Sequence, residues 1–423
     1  MKILYLCSGF LPEKVGAMEL HMQFTAKALI RQGHDVVVFC REYSPGKPEF
    51  VVESSTYDGI PVRRMNYKYS DCTSFEHLYS NPTILKAVEE VVDDFRPDVV
   101  HIHHLNSLTM DVAEMLLAAQ IPYVMTLHDY WMGCPRTQRI TAALETCPEI
   151  NLEKCLHCLR QLWPGFFNGG REDVPRAEAD AKDREVLEAY HEVVNKVLRS
   201  ARKLIAPSRF VKRIYERYGI DRQHISIIPH GLDRSHFAGV DRVRSPVFRF
   251  GYLGPVIPSK GAHILIEAFK LIGGSDCSLQ IWGEVLPYHK DTNYGHRLMV
   301  LSKGWETSID FHSRYENRDV AKILANIDVL VIPSIWYEAN PMTLREAFLS
   351  GTAVIVSNFG VLAEAVDDGV TGLLFNVGDS VHLSEKMKML KDDRRLLQQL
   401  VDAPKDVPNV EENVASLKQI YGI

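Results

Sequence analysis

Twice along this chain, short apolar runs alternate with segments of helical period, an order that few architectures accommodate. In the first series Lys2–Cys7, Asp35–Cys40, Asp98–Ile102 and Pro122–Leu127 have strand character. Glu19–Gln32, ended by Gly33, together with Thr83–Asp94 and Leu108–Ala119, carry helical patterns between them. Lys203–Ala206 and Ile225–Pro229 return to short strands after a polar helical stretch over 175–200. The second series has strand runs at Phe248–Leu253, Ser278–Trp282, Ile309–His312, Val329–Pro333, Ala353–Ser357 and Gly372–Phe375. Helical patterns at Ala262–Leu271, Arg318–Ala325, Pro341–Ser350 and Val381–Leu390 separate them. Strands joined through helices pair in parallel, with the helices covering the sheet. The expected fold class is therefore α/β, with two Rossmann-like domains facing across a cleft. The expected domains are 1–235 and 246–405, joined by an Arg-, Asp- and Ser-rich linker over 233–246. A final helix at Glu411–Tyr421, within 408–423, is expected to pack back on the first domain.

Hydrophobic residues make up 46% of the chain and charged residues 24%, so a large core is expected. A net charge of −6 gives no whole-chain case for nucleic-acid binding. No run of 18 apolar residues predicts a membrane-spanning helix. Met1–Cys7 is too short for a leader's apolar core and is followed by Gly9 and Pro12, so a cytoplasmic location is expected. One segment is basic: Lys196–Arg217 holds eight Lys or Arg and one acidic residue, a local charge of +7. It reads either as a solvated helix face or as a place of peripheral contact with anionic lipid at the inner membrane surface.

Residues 131–172 break the alternation and read as an insertion. They contain Cys134, Cys147, Cys155 and Cys158, spaced C-x12-C-x7-C-x2-C. Four thiolates suit a closed tetrahedral zinc site, and an iron–sulfur cluster uses the same ligands; free thiols are the other reading. His157 is a substitute ligand. A metal here is expected to be structural, ordering a loop with little apolar content.

The run Glu338-Ala-Asn-Pro-Met-Thr-Leu-Arg-Glu346 places one carboxylate on a loop after a strand and the other early in a helix stopped at Gly351. Asn340 is expected to cap that helix and Pro341 to take its first position. A helix start beyond a parallel strand offers free N–H groups to anions. Upstream, Gly254 permits close backbone approach at a strand end and Lys260 supplies a cation.

These elements resemble the retaining glycosyltransferases of family 4, of the GT-B fold. The resemblance rests on the E-x7-E spacing of Glu338 and Glu346, the Pro333-Ser334 before it, and the Lys260-Gly261 element after Gly254. Ser357-Asn-Phe-Gly360, Asp367–Phe375, Thr126-Leu-His128-Asp129, Pro207-Ser208 and Ile228–Asp233 match further elements. The resemblance implies a nucleotide diphosphate sugar as donor, UDP- or GDP-linked, and a saccharide or lipid-linked hydroxyl acceptor. The expected setting is polysaccharide or glycoconjugate assembly.

It further implies that Glu338 and His128 contact the transferred hexose, that Glu346 binds the ribose hydroxyls and that Lys260 meets the diphosphate. Asn340 and the backbone of Pro341, Met342 and Thr343 would face the donor, as would the loop holding Gly16. His128 is expected to stay neutral near the ordinary imidazole value of about 6.5. His103 or His104 is expected to line the acceptor side. No catalytic metal is implied.

Four positions depart from the family pattern. Pro255 stands where an Arg is usual, Ala17 and Val361 where second glycines are usual. Arg345 and Arg314 are candidate substitutes for the missing cation. His230 replaces a usual Asn and reads as a structural turn. These departures keep open a sugar-nucleotide binder or partner subunit without catalysis. An epimerase of the same fold is a third reading, and the E-x7-E spacing and Lys-Gly element speak against it.

Overall fold

The computed structural model describes residues 1–167 and 176–423; the last part of the expected insertion, 168–172, and residue 175 of the expected helix lie outside the described residues. The chain divides into two compact units. The first comprises Met1–Ala142, Cys147–Gly231 and Pro408–Ile423, and the second Ala143–Thr146 and Leu232–Val407.

In the first unit the elements run β1 (Lys2–Cys7), α1 (Ala17–Arg31), β2 (Asp35–Glu42), β3 (Val52–Tyr57), β4 (Ile60–Asn66), α2 (Pro82–Phe95), β5 (Val99–Ile102), α3 (Val112–Ala118) and β6 (Tyr123–Thr126). Then follow α4 (Leu152–Leu162), α5 (Arg176–Ser200), β7 (Lys203–Ala206), α6 (Arg209–Arg217) and β8 (Ile225–Ile227). These strands form a sheet in the order β3-β4-β2-β1-β5-β6-β7-β8, parallel except that β3 pairs antiparallel with β4. The central strand β1 is buried from Ile3 to Cys7, which is why its sequence is one apolar run without alternation. The chain leaves β1 for β2 on one side and crosses to β5 on the other, so the sheet changes direction at β1 and β5.

The second unit holds β9 (Phe248–Leu253), α7 (Ala262–Ile272), β10 (Cys277–Trp282), α8 (Tyr294–Leu301), β11 (Ile309–His312), α9 (Val320–Ala325) and β12 (Val329–Ile332). It continues with α10 (Met342–Leu349), β13 (Ala353–Ser357), α11 (Gly360–Ala365), β14 (Leu373–Phe375), α12 (Ser380–Asp392) and α13 (Arg394–Asp402). Its sheet, β11-β10-β9-β12-β13-β14, is parallel throughout and changes direction between β9 and β12. The last helix, α14 (Val410–Tyr421), belongs to the first unit, where Val410, Val414, Leu417 and Tyr421 join the core with α1.

Several expectations change. The β3–β4 hairpin was not legible, because β3 faces water over most of its length and carries no apolar alternation. The insertion contains α4, capped by the Asn151 side chain accepting from the Lys154 N–H. The helix after Glu338 starts at Met342, with Pro341 at its N-cap and no side-chain cap. Asn340 therefore lies before the cap, in the buried loop. The basic segment is no single helix face: it runs from the end of α5 through β7 into α6. Arg199, Arg202, Lys203 and Lys212 donate to the carbonyls of Gly219, Tyr421, Gln223 and Ile225. Lys196 pairs with Glu114. Among the described residues no helix is long and apolar enough to cross a membrane.

Candidate active site

In open parallel sheets, ligands bind beyond the carboxyl ends of strands where the strand order reverses. In the second unit that place is the end of β9 and β12, and the chain puts Gly254 after the first and Ser334 after the second. Gly254 has φ +134°, a conformation that favours glycine. Gly261, at φ +74°, starts α7, and a Cβ there would collide with the carbonyl of Pro333. Only a glycine lets the loop after β9 lie against the end of β12, and that brings Lys260 to Glu338.

Glu338 is buried, and three donors converge on its Oε1. Lys260 Nζ lies at 2.6 Å, Ser334 Oγ at 2.6 Å and Trp336 Nε1 at 3.0 Å. The Lys260 ammonium also lies 5.0 Å from the centre of the Trp336 ring, within reach of its π face. A carboxylate held by three donors on one oxygen is fixed in orientation before any ligand arrives. Lys260, expected as a diphosphate contact, is thus also the counter-ion of Glu338.

Glu346 sits on α10, buried, and accepts from Asn317 Nδ2 at 2.9 Å. Burial pushes its carboxyl up to about 7, with the Asn317 bond opposing. The Tyr315 phenol beside it is raised by burial and by the Glu346 charge. Met342 and Thr343 form the first turn of α10, where backbone N–H groups have no helical acceptor. Arg345, a candidate replacement for the cation missing at Pro255, is brought down to about 10 by burial. The carbonyl of Pro255 accepts from Tyr252 Oη at 2.6 Å.

The other expected site residues belong to the first unit, beyond β1, β5 and β6. Gly16 precedes α1 with φ −162°, extended backbone that any residue adopts. A Cβ there would meet only the end of the flexible Glu19 side chain. His128 follows β6 and is partly exposed. Its Nε2 lies 2.9 Å from His103 Nδ1, and its ring centre is 4.9 Å from that of His230. Burial first, then the neighbouring histidines, hold His128 well below its ordinary value, which corrects the expectation of an unperturbed imidazole. His230 stacks on His21 at 3.8 Å and so does more than close a turn. His104 bonds Asp129 Oδ2 at 3.0 Å.

Sequence reasoning did not assign roles to Ser334, Trp336, Asn317 or His21. Ser334 and Trp336 could have been found from their places four and two residues before Glu338. Asn317 and His21 reach their partners only through the fold.

Cys155 is pushed up to about 12, by burial first, with Cys134, Cys147 and Cys158 all contributing as charged neighbours. The four thiols are therefore electrostatic neighbours, and all are free. Among the described residues, however, no three His, Cys, Asp or Glu side chains form a group that could hold a metal ion.

The family models agree in both units. Residues 18–236 match Glycosyltransferase Family 4, and residues 242–406 match Glycosyl transferases group 1. Mannosylfructose-phosphate synthase of Agrobacterium fabrum is 26% identical over 317 residues, covering 71% of this chain and 68% of its own. D-inositol 3-phosphate glycosyltransferase of an Arthrobacter species is 23% identical over 89% of this chain and 82% of its own. Among solved structures, sucrose-phosphate synthase from Thermosynechococcus elongatus superposes with a TM-score of 0.71 at 18% identity, covering 100% of this chain and 98% of the other. HepE of Anabaena, in complex with UDP and glucose, gives 0.69 at 18% identity, covering 100% and 99%. Two parallel-sheet α/β units, the matched models and these relatives together place the chain among the GT-B glycosyltransferases of family 4.

Proposed function

We propose that the chain transfers a hexose, with retention, from a nucleotide diphosphate sugar to a hydroxyl acceptor. The observation that carries this reading is the Lys260–Glu338 pair, held by Ser334 and Trp336 where the β9–β12 sheet reverses. In this reading Glu338 orients the hexose and Glu346 takes the ribose hydroxyls. Lys260 and the first N–H groups of α10 receive the leaving diphosphate, where negative charge develops. His128 contacts the transferred sugar. Gly254 and Gly16 let the backbone approach the donor, and Asn340 and Pro341 shape the loop before α10.

The acceptor is a saccharide, a lipid-linked hydroxyl or a phosphorylated sugar or polyol. The last is supported by the names of the relatives from Agrobacterium and Arthrobacter. A metal at Cys134, Cys147, Cys155 and Cys158 would order the insertion and take no part in transfer.

The test is a nucleotide-release screen of UDP-, GDP- and ADP-hexoses against pools of each acceptor class, with the product anomer read by NMR. Transfer with the donor's anomeric configuration preserved is the expected result. Inversion would remove the retaining mechanism. Nucleotide-sugar binding without release under any pool would favour the non-catalytic binder, for which Pro255 in place of a cation is the specific observation.

A further inference from the structure

We propose that His103 is a positioning residue that holds His128 in the tautomer protonated on Nδ1, so that His128 presents a hydrogen-bond donor beyond β6. Its geometry stands alone. Its consequence for transfer rests on the reading of His128 as a sugar contact.

A neutral imidazole has one N–H and one lone pair, so a bond at one nitrogen decides what the other offers. His103 Nδ1 and His128 Nε2 are 2.9 Å apart. If His128 donated from Nε2, the His103 proton would have to sit on its own Nε2. That atom is buried and meets no hydrogen-bond partner among the described residues. If His103 Nδ1–H donates instead, the unmet atom is only a lone pair, and the His128 proton must sit on Nδ1. Buried N–H groups without acceptors are rarer in folded proteins than under-satisfied acceptors. The second assignment is therefore favoured.

The surroundings keep His103 from turning. Its ring stacks on His101 at 4.0 Å, and Tyr5 meets it edge-on at 4.6 Å. His101 is itself pinned, with Tyr421 Oη 2.6 Å from Nδ1 and Thr126 Oγ1 2.7 Å from Nε2. His104 is engaged with Asp129 and does not compete for His128. Burial and neighbouring imidazoles also disfavour a second proton on either ring. The result is a donor on His128 suited to a sugar oxygen with a free lone pair, whereas the other tautomer would accept from a hydroxyl.

The test uses the full chain labelled with 15N-histidine, observed by long-range proton–nitrogen correlation at pH 7.5. The His128 signals are identified by their loss in His128→Gln. The expected wild-type pattern is a protonated Nδ1 and a bare Nε2 on His128. His103→Asn, which keeps an N–H donor near the place of Nδ1, should preserve it. His103→Leu should release His128 toward the Nε2-protonated form and lower kcat on the order of tenfold, the effect of one neutral hydrogen bond, with His103→Asn restoring it. An Nε2-protonated His128 in the wild type, or an unchanged pattern in His103→Leu, overturns the proposal. If the tautomers behave as stated but no variant alters transfer, the positioning of His128 stands and its role as a sugar contact fails.

Discussion

At the residue scale, the site depends on where a few donors and carboxylates are held. Glu338 takes three donors on one oxygen, so Glu338→Gln replaces an acceptor with a group that competes with them as a donor. We expect transfer to fall by about 10²-fold or more, the scale of losing a preorganised electrostatic contact, measured as kcat with the fold checked by circular dichroism. Lys260→Ala leaves Glu338 buried without its counter-ion, although Lys260 keeps 23% of its side chain exposed. Solvent screening brings the expected destabilisation to about 1–3 kcal/mol, read from urea unfolding.

Glu346 gives a pH signature. Its carboxyl is raised to about 7 in the folded chain, above its ordinary value near 4.5. Between these values the folded state holds a proton that the unfolded state has lost, so its contribution to stability falls as pH rises from about 4.5 to about 7. Glu346→Gln should flatten that dependence. If the ribose hydroxyls donate to the carboxylate as proposed, UDP affinity should rise as pH increases from 6 to 8, with proton release in calorimetry. A pH-independent Kd would remove Glu346 from the ribose site.

At the element scale, α14 is tied to the first unit by a cap and a close approach. The Asn409 side chain accepts from the Glu412 N–H, and the Glu412 side chain accepts from the Asn409 N–H. Asn409→Ala should cost about 1 kcal/mol. Gly231→Ala should cost more, because its Cβ would collide with the Asn409 carbonyl, a backbone atom that cannot step aside. Comparing the two variants by thermal unfolding checks the order.

The cysteine segment makes a compositional prediction of its own: zinc or iron near one equivalent in protein purified without added metal. Under about half an equivalent would leave the four thiols as electrostatic neighbours only. The basic segment spends four of its eight cations on carbonyls of its own unit and a fifth, Lys196, on Glu114, so weak, salt-sensitive sedimentation with anionic vesicles is expected.

At the scale of the whole molecule, the buried histidines of the first unit and Glu346 of the second should respond to acid in opposite senses. In the first, His101, His103 and His128 are held below their ordinary value by burial. The unfolded chain therefore binds more protons below about pH 6.5, and stability is lost as pH falls through that value. In the second, Glu346 contributes more stability as pH falls from 7 toward 4.5. Hydrogen exchange at pH 5.5 and 7.5, corrected for intrinsic rates, should show protection lost in β1, β5 and β6 on acidification. β12 and α10 should hold or gain protection.

Much of this molecule was legible from residues alone, and the reason is periodicity. Buried parallel strands must be apolar on both faces, so β1, β9, β12 and β13 announce themselves in sequence, and the helices between them follow from their spacing. Glycine punctuation marked the Lys260 loop, and the spacing of Glu338 and Glu346 placed one on a loop and one on a helix. What periodicity could not carry was decided by tertiary structure. The exposed β3 strand has no alternating signal, and its place at the sheet edge comes from pairing with β4. Pro341 became a cap instead of a first helical residue, and Asn340 lies ahead of it. The bond between His103 and His128 joins residues 25 apart because β5 and β6 are neighbours in the sheet. The pairing of Lys260 with Glu338 spans 78 positions and exists because β9 and β12 lie side by side. Sequence by itself determined which residues could do the chemistry and the class of fold that carries them. Only the folded chain decided which atoms meet and which protons they hold, because those follow from burial and from neighbours distant along the chain.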